Sequence, residues 1–194
     1  MAFIKKIKIE DTIYEAKTDY RTAIKCNDIA TDESIGNFER TLGVLCTMFG
    51  PKALDNPSHY EKLLKWAQNW LSCGKEVKHT NDKPDMDFTE DMDYIVASFQ
   101  SDFGINLDEQ DMDWHRFITL LNGLSNSEFG NCCVLNRVRN IRNYDLSKVK
   151  DVKERQKIKE AQREVALKKY MPKRKEPTEK QKHNAEEFYK KLKI

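Results

Sequence analysis

Apolar residues recur every three or four positions through most of the chain, the period of helices buried along one face. Met92, Ile95, Val96, Phe99 and Phe103 form one such stripe, and Asp87 with Glu90 three residues later reads as a capping box before it. Gly104 stands where a left-handed residue closes a helix, so the chain turns through Ile105, Asn106 and Leu107 and restarts near Asp108 or Asp111. Trp114, Phe117, Ile118 and Leu121 make the next stripe, with Gly123 as its stop. The pattern predicts a helical hairpin.

Upstream, Ile35, Phe38, Leu42, Leu45, Met48 and Phe49 predict a core helix opened by Asp32 or Ser34 and ended by Gly50-Pro51. Asn56-Pro57 opens another, with Tyr60, Leu63, Leu64, Ala67, Trp70 and Leu71 inward, Trp66 at the edge of the stripe and Gly74 at its end. Asp19 is an N-cap for a helix from Tyr20 to about Asn27. Before it, Ile7, Ile9, Thr12, Ile13 and Tyr14 suggest a small β-hairpin over residues 5–16, which is marginal alone and must lie against helices. Lys75 to Pro84 is a polar surface loop.

Downstream, Ser125 or Ser127 caps a helix through Asn143, with Val134, Leu135, Val138 and Ile141 inward and Arg137, Arg139 and Arg142 on a flank that can face the acidic hairpin. At an exposed site each such pair is worth about 0 to 1 kcal/mol. Leu146 to about Tyr170 favours helix with only a thin seam of Val149, Val152, Ile158, Ala161 and Val165. After Pro172, a basic linker leads to a terminal helix opened by Thr178 and Gln181 and bearing Phe188, Tyr189 and Leu192. The expected fold is mostly α: a compact multi-helix body over residues 1–145 carrying the hairpin, and a charged helical extension over 146–194.

Charge refines this division. Of 34 Lys/Arg and 32 Asp/Glu in 194 residues, residues 145–194 hold 17 and 9, net +8, and residues 1–144 hold 17 and 23, net −6. Such asymmetry points to an extension that docks on its own body or meets an acidic partner. Five cysteines without a Cys-x-x-Cys pair read as reduced thiols in a cytosolic protein. No apolar run has signal-peptide or membrane-spanning length, so no membrane association is expected.

Candidate chemistry is sparse. Asp82 to Leu124 holds eleven acids against two bases, but most stand at or before helix N-termini, where negative charge favours the macrodipole. A calcium loop starting at Asp85 would place Glu90 at position 6 and Val96 at position 12, where glycine and a bidentate acid are needed. The chain has no glycine-rich phosphate loop, Gly-x-Ser-x-Gly elbow or His-Glu-x-x-His helix. Cys132, Cys133 and His115 read as parts of apolar helices, and Asp85, Asp151 and Lys153 as a chance nuclease-like string in a charged chain. The expectation is a protein that is not an enzyme, with no catalytic, cofactor or metal residues.

One resemblance gathers these segments. Thr18-Asp19-Tyr20-Arg21, the run from Asp91 to Phe99, Phe103-Gly104-Ile105-Asn106-Leu107, Trp114-His115-Arg116-Phe117 through Leu120-Leu121-Asn122-Gly123-Leu124, and Ile141-Arg142-Asn143-Tyr144-Asp145 together resemble the bacteriophage "gene-product fifteen" family. The chain departs from that pattern in the order of Trp114 and His115 and in the segment after Tyr170. The resemblance implies a tail assembly chaperone of tailed phages and prophages of Gram-positive bacteria. It would hold the long helical tape-measure protein soluble in the host cytoplasm while the tail tube polymerises, and be absent from the virion. Implied partners are the tape-measure protein and a smaller tail protein encoded upstream, with self-association a further option. Trp66, Phe103 and Trp114 are the candidate partner anchors. The competing expectations are a tail or tail-tip adaptor retained in the virion and, less favoured, a nucleic-acid binder using the basic tail.

Overall fold

The computed structural model describes residues 3–76, 84–126 and 132–171. They form a mostly α structure with one small antiparallel hairpin, in which β1 (Ile4–Ile9) pairs with β2 (Thr12–Lys17) from Ile4 opposite Lys17 to Ile9 opposite Thr12. Alternation sends Ile9, Tyr14 and Ala16 into the core and leaves Ile13 exposed, so the hairpin has one buried face, set against α2. The turn places Glu10 in the left-handed region at φ +54°. Glu10 nonetheless works there, accepting from Lys62 at 3.0 Å and meeting the buried His59 at 3.3 Å. The hydroxyl of Tyr14 lies 2.8 Å from Nδ1 of the same His59. One imidazole thus clips the hairpin turn and β2 to the helical body.

Among the described residues seven α-helices follow: α1 (Tyr20–Thr31), α2 (Asn37–Phe49), α3 (Tyr60–Leu71), α4 (Met92–Phe103), α5 (Trp114–Asn122), α6 (Val134–Asn143) and α7 (Val152–Glu164). Asp19 caps α1 as expected, accepting from the Thr22 amide at 3.0 Å. The helix runs four residues beyond Asn27 because Ile29 packs against α2, where a Cβ on Gly43 would meet it at 2.8 Å. The start of α2 differs from the expectation. Its N-cap is Gly36, while Asp32 closes a turn by accepting from the Ser34 amide at 2.8 Å. The apolar period therefore begins before the helix does, and Ile35 and Phe38 are 37% and 64% exposed.

Other boundaries shift for similar local reasons. Pro57–His59 forms a 3-10 turn ahead of α3, with no side-chain cap from Asn56. The link from α4 to α5 runs from Gly104, left-handed at φ +65°, to Asp113, whose side chain rather than that of Asp108 or Asp111 caps α5. It is no simple surface turn, because Leu107 and Met112 are buried. α6 starts at Val134, capped by Cys133 and by Ser98 of α4, which accepts from the Leu135 amide at 3.0 Å. Of the two expected caps, Ser125 lies upstream of α6 and does not cap it, and Ser127 lies outside the described residues, as do the linker after Pro172 and the terminal helix with Phe188, Tyr189 and Leu192. The single helix expected from Leu146 to Tyr170 is α7 flanked by 3-10 turns at Leu146–Lys148 and Lys168–Tyr170. Of its seam, Val149 is buried and Val152 is 75% exposed.

The core centres on Phe117, whose ring stacks on Tyr20 at 4.8 Å, Phe99 at 5.2 Å and Trp114 at 5.7 Å between centroids. Each such pair adds about 0.5 to 1.5 kcal/mol beyond area burial. Among the described residues no helix is long and apolar enough to cross a membrane.

The hairpin clip has a pH signature. Hydrogen bonds from Lys62 and His59 hold the Glu10 carboxyl below the usual carboxylate range. A depressed folded-state pKa contributes stability above the unfolded value, about 4.3, and that contribution disappears as pH falls through the folded value. Thermal melts of Glu10→Gln are expected to fall below wild type at pH 7, with the gap closing toward pH 3. A gap that stays constant with pH would contradict the clip.

Candidate functional site

The start of α5 satisfies the end of α3. The last carbonyls of a helix have no partner within it. Trp114 Nε1 donates to the Leu71 carbonyl at 2.9 Å, and His115 Nε2 lies 2.9 Å from the Trp70 carbonyl with its ring stacked on Trp70. Trp114 is 4% exposed, so its ring is held in the core and is not presented to a partner in this fold. Trp66 is half-buried, stacked on Trp70 and edge-on to Phe49. Phe103, at 36% exposure, rests edge-on against Phe99 and keeps much of its ring at the surface. His115 is a positioning group between two helices.

A second set of ties surrounds the start of α4. Asp91 is fully buried, and its carboxylate takes two parallel bonds from Arg142 of α6, each 2.7 Å. The same guanidinium donates to the Asp85 carbonyl at 2.9 Å and, through Nε, to the Val165 carbonyl at 2.6 Å. Its neighbour Arg139 meets the Asp85 carboxylate at 3.0 Å. The arginine face of α6 thus does meet the acidic block, but the Asp91 pair is buried, not an exposed contact of small worth. Hydrogen bonds donated to Asp91 hold the Arg142 guanidinium above its ordinary range. The expected capping box also changes partners. Asp87 accepts from the Thr89 and Glu90 amides, and Asp91, rather than Glu90, returns a bond to the Asp87 amide at 3.0 Å.

Glu90 is thereby free to act elsewhere. Its two carboxylate oxygens accept the backbone amides of Lys168 at 2.7 Å and Lys169 at 2.6 Å. The Lys169 ammonium enters an acidic cleft, 3.1 Å from Thr31 Oγ1, 3.4 Å from Asp87 and 3.9 Å from Asp28. This cleft, about 580 Å³, is also lined by Asp32, Glu33, Tyr170 and Met171. Leu167 is buried against the body just before it. The segment after α7 therefore lies as a strap over the Asp91–Arg142 pair. Sequence reading missed it because Leu167 and Lys169 belong to no periodic stripe; the one available signal was the opposite charge of the two regions.

The described residues include no group of three or more His, Cys, Asp or Glu arranged to hold a metal ion. Burial pushes the Cys26 thiol up to about 12 and also raises Cys73, which disfavours the reactive thiolate at both. The acids serve as caps and as partners for Arg139, Arg142 and Lys169.

Removing one partner of a buried ion pair typically destabilises by about 3 to 5 kcal/mol, because the remaining charge stays buried. Arg142→Met is expected to fall in that range by urea denaturation, and Asp91→Leu with Arg142→Met to lose less than the two single changes added together. Strict additivity would mean that the two side chains do not act as a pair.

Segments quoted above for the family resemblance meet one another around this site. Asp91 meets Arg142, the Trp114 amide donates to the Thr18 carbonyl, and Tyr20 and Arg21 both donate to the Leu107 carbonyl. No curated protein and no solved structure matches the chain. A family model described as Bacteriophage Gp15 protein matches residues 2–167, from the hairpin through Leu167 of the strap, and the chain belongs to that family.

Proposed function

We propose that this protein is a tail assembly chaperone that binds the tape-measure protein and keeps it soluble while the tail tube forms. The observation that carries this reading is membership of the phage family across residues 2–167. The chemistry is compatible: a helical body closed by internal ties can lend surface to a partner without making or breaking a bond. Long helical partners are bound by apolar side chains set in a charged surface that keeps the complex soluble. Here Phe38, Phe103 and the outer edge of Trp66 supply such apolar surface. The protein acts without catalysis, in the host cytoplasm, alongside the smaller tail protein encoded upstream, and leaves the assembly before the virion is complete.

Co-expression with tape-measure fragments is expected to raise their soluble fraction several-fold. Phe38→Ala with Phe103→Ala should reduce that gain while leaving the melting temperature within a few degrees of wild type. Unchanged fragment solubility at saturating chaperone would defeat the proposal. Mass spectrometry of purified particles separates it from a retained adaptor, which would be found in fixed copy number.

A further inference from the structure

Residues 165–171 sit on the body as a bound peptide would. Three features hold them: the buried side chain of Leu167, two successive amides on the Glu90 carboxylate, and the Lys169 ammonium among Thr31, Asp87 and Asp28. Two of the receiving acids, Asp28 and Asp87, are held by bonds that do not involve the strap. Asp28 accepts from Thr89 Oγ1 at 2.6 Å, and one oxygen of Asp87 accepts the Thr89 and Glu90 amides. Asp87 is 6% exposed and turns its other oxygen to the cleft, where the donor it meets is Lys169. With the strap lifted, that oxygen would lose this cation and offer its charge to another ammonium. The strap itself is lightly held, since Lys168 to Met171 are exposed and its regular structure is a single three-residue 3-10 turn.

We infer that the cleft is a receptor for a basic protein segment carrying a large aliphatic residue two positions before a lysine, and that the chain's own Leu167-Lys168-Lys169 occupies it as a displaceable latch. The aliphatic side chain fills the Leu167 socket, the intervening amides meet Glu90, and the ammonium neutralises Asp87 and Asp28. A partner segment of that pattern would compete with the latch, so binding would lift the strap off the body. This goes beyond the tape-measure reading and rests on it only in taking the partner to be a protein. The solubility assay can fail while the latch holds, and the reverse.

The probe is a labelled peptide with the sequence of residues 164–171, titrated by fluorescence anisotropy against the full chain. The full-length variant Leu167→Asn with Lys169→Glu, whose own latch is weakened, is expected to bind the peptide at least tenfold more tightly than wild type. Adding Asp87→Asn to that variant should reverse the gain, and a peptide with glutamate at the Lys169 position should not bind. Equal affinity for both chains, or no binding to a variant with a native circular dichroism spectrum, overturns the inference. Hydrogen exchange on the unmodified chain gives a test independent of variant folding. The Lys168 and Lys169 amides should exchange at least a hundredfold faster than those of Phe99 and Phe117, by local opening. Exchange at the core rate would make the strap a fixed part of the body and remove the latch.

Discussion

Three stretches far apart in the chain are ordered by one guanidinium. Arg142 holds the carboxylate of Asp91, the carbonyl of Asp85 and the carbonyl of Val165, using four hydrogen bonds of 2.6 to 2.9 Å. A buried carboxylate accepts this only from a group that returns charge and geometry together, and the planar fork of arginine does both where a lysine could not. Desolvation offsets much of the attraction, so the pair adds little to net stability compared with an apolar pair of equal volume. Its consequence is specificity. With Asp91 at 0% exposure, an arrangement of α4 and α6 that separates the two charges leaves one of them buried and unmatched.

Several helix ends in this protein are closed by neighbouring elements. Trp114 and His115 serve the last carbonyls of α3, Ser98 of α4 serves the first amides of α6, and Glu90 serves the 3-10 turn after α7. The long link between α4 and α5 is pinned in the same manner, with the Leu107 carbonyl accepting from both Tyr20 and Arg21. Such bonds are worth about 1 kcal/mol each, but leaving the carbonyl or amide unmet in the interior costs more, so they fix how the elements meet. The aromatic stack around Phe117 supplies the attraction, and the polar ties choose among the packings it would allow.

This division explains what could be read in the sequence. Stripes such as Leu63, Ala67 and Trp70, or Ile95 and Phe99, are legible because burial on one helical face imposes a period, and Gly104 because only a residue without Cβ is at ease at φ +65°. The α2 stripe misleads at Ile35 and Phe38 because period alone does not say where a helix begins; Gly36, with no capping side chain, gave no such signal. Asp87, Glu90 and Asp91 were recognisable as a helix start, yet which carboxylate would turn back and which would reach out depends on Arg142 and Lys168, fifty or more residues away. Nothing in the local pattern of Trp114 separates a presented aromatic from one whose indole must reach the Leu71 carbonyl.

The charge division along the chain takes on a definite meaning in this light. Residues 152–164 keep their many charges in water, since α7 buries none of its side chains completely, while the few contacts that anchor it come from Gln162, from Val149 before it and from Val165 and Leu167 after it. Among the described residues of the extension, Lys169 is drawn into the acidic cleft, where low exposure on the Asp87 side makes the interaction stronger than at an open surface. Buried or half-buried pairs such as Asp91 with Arg142 and Asp85 with Arg139, joined to the open charged surface of α7, separate two tasks. The first half of that arrangement gives a fixed shape, and the second leaves charge available at long range, where it acts on the rate and choice of encounter more than on the strength of the final complex.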